Sequence, residues 1–132
     1  MEIRKSLIRI YSMNKDEWTK KIKADTEKAG TYKPFFDSVI DTLAGILEER
    51  DEAKATFEKL GGQVIVKHTN KGGATNLEQN PALRLVNDLN RDALAYWRDL
   101  GLTPKGLKAI NEQALAEEKA DALTEALREL GG

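Results

Sequence analysis

Cysteine is absent from this chain of 132 residues, which excludes disulfide staples and thiolate metal sites and fits a reducing compartment. Histidine occurs once, at His68, with no acidic residue close by in sequence. A histidine-based triad or a multi-histidine metal site is therefore difficult to build, and His68 reads as an ordinary surface residue. Long apolar runs are missing too. No stretch approaches the ~20 apolar residues that a membrane span needs, and the opening Met1 to Ile10 lacks the continuous hydrophobic segment of a signal peptide. These features predict a protein that stays in the cytoplasm and spans no membrane. With only 3 prolines and 10 glycines the chain is neither low-complexity nor collagen-like, and its length suits one domain.

Chemistry is equally scarce. Asn70-Lys71-Gly72-Gly73 resembles a phosphate loop only superficially, because the longer glycine-bounded turn ending in Gly-Lys-Ser/Thr is not there. Glu48, Glu49, Asp51 and Glu52 follow so closely that a helix spreads them around its axis and does not converge them on a metal. The expectation is a protein that is not an enzyme, with no catalytic residue, no metal and no cofactor.

Charge is what the chain has in quantity. Charged residues make up 33% and hydrophobic residues 40%, a balance that suits long amphipathic helices. The net charge of −1 conceals alternating blocks. Residues 1–33 carry nine Lys/Arg against five Asp/Glu, residues 34–60 three against seven, residues 61–109 seven against four, and residues 110–132 two against six. Such blocks can meet a polyanion at one end and a different partner at the other, or can simply be solvated helix faces.

Periodicity predicts a mainly α fold. The first thirteen residues fit no single period, leaving a strand, a frayed helix or a mobile arm open. Asn14 caps a lysine-rich helix ending at Ala29, with Gly30 just past it. Pro34 opens a long central helix whose apolar stripe runs through Phe35, Phe36, Val39, Ile40, Leu43, Ile46, Leu47, Ala53, Phe57 and Leu60. Gly61-Gly62 stops it. Val64-Ile65-Val66 is a short β-branched run, followed by a polar loop at 68–76 whose far side is not strand-like. The reading there is an extended, β-like linker and not a sheet. Asn80-Pro81 caps a third helix with Leu83, Val86, Leu89, Ala93, Tyr96, Trp97 and Leu100 on its apolar face. Tyr96 and Trp97 read as core or interface packing. Thr103-Pro104 starts a fourth helix reaching Leu130, with an apolar stripe too thin to stand alone.

Binding is the best-supported role. Arg4, Lys5 and Arg9 in the opening segment, with Lys15, Lys20, Lys21, Lys23 and Lys28 on the first helix, are candidate DNA-binding residues, since such side chains neutralise phosphates without reading sequence. Residues 14–60 form a candidate helix-turn-helix, with the turn at Gly30 to Lys33. Their bland alternative is solvated helix surface.

The C-terminal half adds a resemblance. Asn80-Pro81-Ala82-Leu83, a helix reaching Tyr96-Trp97-Arg98-Asp99-Leu100, and the joint Gly101-Leu102-Thr103-Pro104 resemble the closing signature of terminase small subunits of tailed phages and prophages. The preceding order is also similar: Leu43-Ala44-Gly45-Ile46-Leu47, a glycine stop, and a loop with Thr69-Asn70-Lys71-Gly72. The likeness runs from about Trp18 to Ile110. Many relatives place an arginine three residues after the joint proline, where this chain has Leu107, with Lys105 and Lys108 beside it. The resemblance implies a ring-forming homo-oligomer in the host cytoplasm that recognises double-stranded phage DNA and regulates the ATPase and nuclease of a terminase large subunit. On that reading residues 1–33 form the basic DNA-binding arm and helix. Residues 34–79 hold the oligomerising central helix and linker, and residues 80–132 the helix pair joined at Gly101–Pro104 with its acidic tail. The alternative is a helical oligomeric adaptor or scaffold that binds no nucleic acid.

Overall fold

The computed structural model describes residues 12–131. Helix α1 spans Lys15–Ala29. Its start is fixed as the sequence predicts: the Asn14 side chain accepts the Glu17 N–H at 2.8 Å, and Asp16 and Glu17 in the first turn complement the helix dipole. A 3-10 turn at Pro34–Phe36 then leads into α2, Asp37–Lys59. Proline suits that first turn, where its missing N–H costs no helical hydrogen bond. The expected helix from Pro34 therefore begins as a tighter turn and becomes α-helical at Asp37.

Between α2 and the next helix the expectation of an unpaired linker is wrong. Strand β1 (Ile65–Thr69) pairs antiparallel with β2 (Thr75–Gln79), with Lys67 opposite Leu77. Thr75–Gln79 holds a single large apolar residue, so propensity gives no warning of a strand. The turn supplies what propensity lacks. Asn70 Oδ1 accepts the N–H groups of Gly72 and Ala74, each at 3.0 Å, while the Asn70 N–H donates to the Ala74 carbonyl at 2.9 Å. Gly73 takes the left-handed conformation that closes the turn (φ 84°). At the open end, Asn80 donates through its backbone to Val64 O and through Nδ2 to Gln63 O.

Helix α3 spans Pro81–Asp99 and α4 spans Pro104–Gly131. Asn80 caps α3 by accepting the Ala82 N–H, and Thr103 Oγ1 accepts the Gly106 N–H at the start of α4. Two glycines permit the joint. Gly101 (φ 73°) ends α3, and a Cβ there would lie 2.8 Å from both Ile110 Cδ1 and Thr31 Cγ2; a Cβ on Gly106 would collide with the Arg98 carbonyl. The backbone of α4 thus crosses directly against the end of α3.

Helices α1, α2 and α3 share one core of Ile22, Ile40, Leu43, Ala44, Leu47, Ala93 and Leu100. Trp18, Tyr96 and Trp97 pack against it while half-buried. Complete burial of a leucine such as Leu43 or Leu47 stabilises the body by about 2 kcal/mol. Two polar groups pin the layers. Thr31 Oγ1 donates to the Leu100 carbonyl at 2.8 Å, tying the α1–α2 joint to the end of α3. Asp51, 5% exposed on α2, accepts Trp18 Nε1 at 2.9 Å and the Met13 N–H at 3.2 Å on Oδ2. Its Oδ1 pairs with the Arg50 guanidinium at 3.0 Å. Among the described residues no helix is long and apolar enough to cross a membrane.

Candidate nucleic-acid interface

The five lysines of α1 do not converge on one patch. Lys15 turns inward, forming an ion pair with Asp41 of α2 at 3.1 Å, while its N–H donates to Glu48 Oε2 at 2.6 Å. Lys21 pairs with Asp25 one turn on, at 2.9 Å. Lys23 Nζ sits 5.1 Å from the centre of the Tyr32 ring, an attraction between a cation and an aromatic face. Lys20 and Lys28 are exposed and form no ion pair with the described residues. Helical spacing puts Lys21 and Lys28 on one flank and Lys20 and Lys23 on the other. Asp16, Glu17, Asp25 and Glu27 interleave with them, so five lysines face four carboxylates on this helix. Most of the basic excess of residues 1–33 therefore lies off α1.

Arg4, Lys5 and Arg9 lie outside the described residues. The point where their segment joins the body is fixed, because the Met13 N–H is held by buried Asp51 and the Lys15 N–H by Glu48. Asp51 and Glu48 belong to the acidic run that the sequence reading spread harmlessly around a helix. Asp51 is instead a buried acceptor joining the N-terminal segment, α1 and α2, and Arg50 extends the network to Asn90 Oδ1 on α3 at 3.2 Å. The signal was a carboxylate at a core-facing position of an otherwise apolar stripe.

A second group of cations escaped the sequence reading. Arg84, Arg91 and Arg98 are exposed on α3 and recur every seven residues, which places them along one side of the helix. Arg91 meets Asp88 only loosely, at 3.7 Å with both side chains exposed. The seven-residue period is visible in the sequence, on the side of the helix away from the apolar face of Val86, Leu89 and Ala93. Leu107 is half-buried on α4, with Lys105 and Lys108 exposed beside it.

Little else offers chemistry. His68 is exposed on β1 opposite Asn76, and the Asn70 to Gly73 segment is a hairpin turn and not a strand-to-helix phosphate loop. Among the described residues no group of three or more His, Cys, Asp or Glu is placed to hold a metal ion. An open cleft of about 450 Å³ is lined by Asp25, Trp97, Leu102 and Thr103. Its carboxylate is already engaged by Lys21, and its lining contains no pairing of a nucleophile with a base.

Among the described residues, exposed cations thus include Lys20 and Lys28 on α1, Arg84, Arg91 and Arg98 on α3, and Lys105 and Lys108 at the start of α4. No curated protein and no solved structure matches the chain. A family model described as phage terminase, small subunit, matches residues 14–117. That match takes in α1, the α2 stripe, the hairpin, the Asn80-Pro81 start and the glycine joint, and by it the chain belongs to the phage terminase small-subunit family.

Proposed function

We propose that this chain is the DNA-recognising component of a phage packaging terminase. In this reading it assembles as a homo-oligomeric ring in the host cytoplasm and regulates a large subunit that carries the ATPase and nuclease. It performs no catalysis itself. The observation that carries the reading is the family match over residues 14–117. Residues 1–33 meet double-stranded DNA through Arg4, Lys5, Arg9 and the α1 lysines, with the 14–60 unit docking as a helix-turn-helix. Residues 34–79 hold the ring together, and residues 80–132 set the angle between neighbouring helices and present the acidic tail. Contacts of this kind are made to phosphates, so affinity falls steeply with salt.

The test is a titration of double-stranded DNA with the full chain at about 50 and 200 mM salt. A salt-sensitive complex is expected, weakened at least several-fold by the triple variant Lys20→Glu, Lys21→Glu, Lys23→Glu. An unchanged affinity in that variant would move the DNA face away from α1, and Arg84→Glu with Arg91→Glu then asks whether it lies on α3. The interleaved carboxylates of α1 favour a second reading, an oligomeric adaptor that binds no nucleic acid. No complex even at low salt would establish that reading over the first.

A further inference from the structure

Past Ile110, helix α4 leaves the core, and every residue from Asn111 to Gly131 is exposed. Its apolar residues are nevertheless ordered. Ala116, Ala120, Leu123, Leu127 and Leu130 are separated by steps of four, three, four and three. That alternation is the spacing of core positions in a coiled coil, and it gathers the five residues onto one face. Leu123, Leu127 and Leu130 are 62%, 61% and 85% exposed. Nothing within the described chain covers them.

Charge says what does. Residues 110–132 carry six carboxylates against two cations, yet Glu118, Asp121, Glu125 and Glu129 fall on the side away from the leucines. On this register the flanking positions are Glu117, Lys119, Thr124 and Ala126; Glu117 stands beside the alanine layers, and none of those beside Leu123, Leu127 and Leu130 is acidic. A basic partner helix would be met by carboxylates along the rim of the leucine layers, and here they are kept off those layers. Acid-free leucine layers on an acidic helix are what two copies of the same helix require, because like charges then stay away from the place where leucine meets leucine.

We propose that α4 pairs through this seam with α4 of a second copy of the chain, forming a short coiled coil outside the body. Five layers make a weak coil by themselves. The seam therefore rests, for its strength, on the self-association of the bodies proposed above, which makes the second contact intramolecular and raises its effective concentration.

The experiment is sedimentation equilibrium of the full chain over a range of micromolar concentrations, comparing two double variants. Leu123→Gln with Leu127→Gln removes the seam while keeping helix propensity and charge; Glu118→Gln with Glu125→Gln alters only the outer face. Fluorescence of Trp18 and Trp97, both in the body, checks that the core is intact. The seam variant is expected to lose at least tenfold in association constant, while the outer-face variant associates at least as tightly as the parent. A seam variant that keeps the parental mass overturns the coiled coil and leaves the ring standing. A parent that is monomeric throughout overturns both.

Discussion

The body and the projecting helix spend the same residue type in opposite ways. Leu43, Leu47 and Leu100 in the body are 0% exposed, held among α1, α2 and α3, and the buried side-chain polar atoms of the described residues all have partners. Leu123, Leu127 and Leu130 on α4 stand in solvent, on a stretch whose every residue from Asn111 to Gly131 is exposed. The difference teaches where the protein is self-sufficient. The body's folding is explained by contacts within one chain, whereas the distal part of α4 carries an ordered apolar face that none of the described residues covers.

Three predictions bear on that contrast. The largest effect separates two equal truncations. Leu47→Ala, in the body, costs about 3 kcal/mol in urea unfolding and does so at any protein concentration. Leu127→Ala has no comparable cost at high dilution and weakens the protein only where copies associate, so a concentration-independent loss there would erase the distinction. Next, Asp51→Ala strands the Met13 N–H, Trp18 Nε1 and Arg50 together, and destabilises the body by about 3 kcal/mol or somewhat less. Substitution of Glu125, a carboxylate with no such partners, stays within about 0.5 kcal/mol. If Asp51→Ala proved equally silent, the anchoring of the N-terminal segment to α2 would be refuted.

The smallest effect is a pH effect confined to the body, since α4 contains no tyrosine. The Tyr32 hydroxyl donates to Asp37 Oδ1 at 2.8 Å, and this hydrogen bond raises the phenol above its ordinary value. A group whose pKa is higher when folded stabilises the fold below its unfolded value of about 10 and loses that contribution as pH rises through the folded value. A phenolate absorbance titration is expected to show Tyr32 ionising late, and Asp37→Asn is expected to shift it back toward the ordinary value. No shift on that substitution would remove the interaction from the account.

Most of the helices were legible because their signals are local. Asn14 with Gly30, Asn80 with Pro81, and Thr103 with Pro104 each fix a boundary within a few residues, and each holds in the structure. The hairpin was not legible from β propensity, because β2 is made strand by its partner across the Asn70 turn and not by its own side chains. Asp51 was missed for a related reason: its partners Met13 and Trp18 are 38 and 33 residues away, so only the packing of α1 on α2 reveals them. The proposed DNA face was the least legible part. A count of lysines does not show that Lys15 faces α2, that Lys21 is paired, or that arginines align on α3.

On the proposed function, a body stable by itself associates with copies of itself around DNA. Native mass spectrometry of the full chain tests it most directly. A closed assembly of more than two copies, present without DNA and retained at micromolar concentration, is the predicted result; a monomer at high micromolar concentration would contradict it.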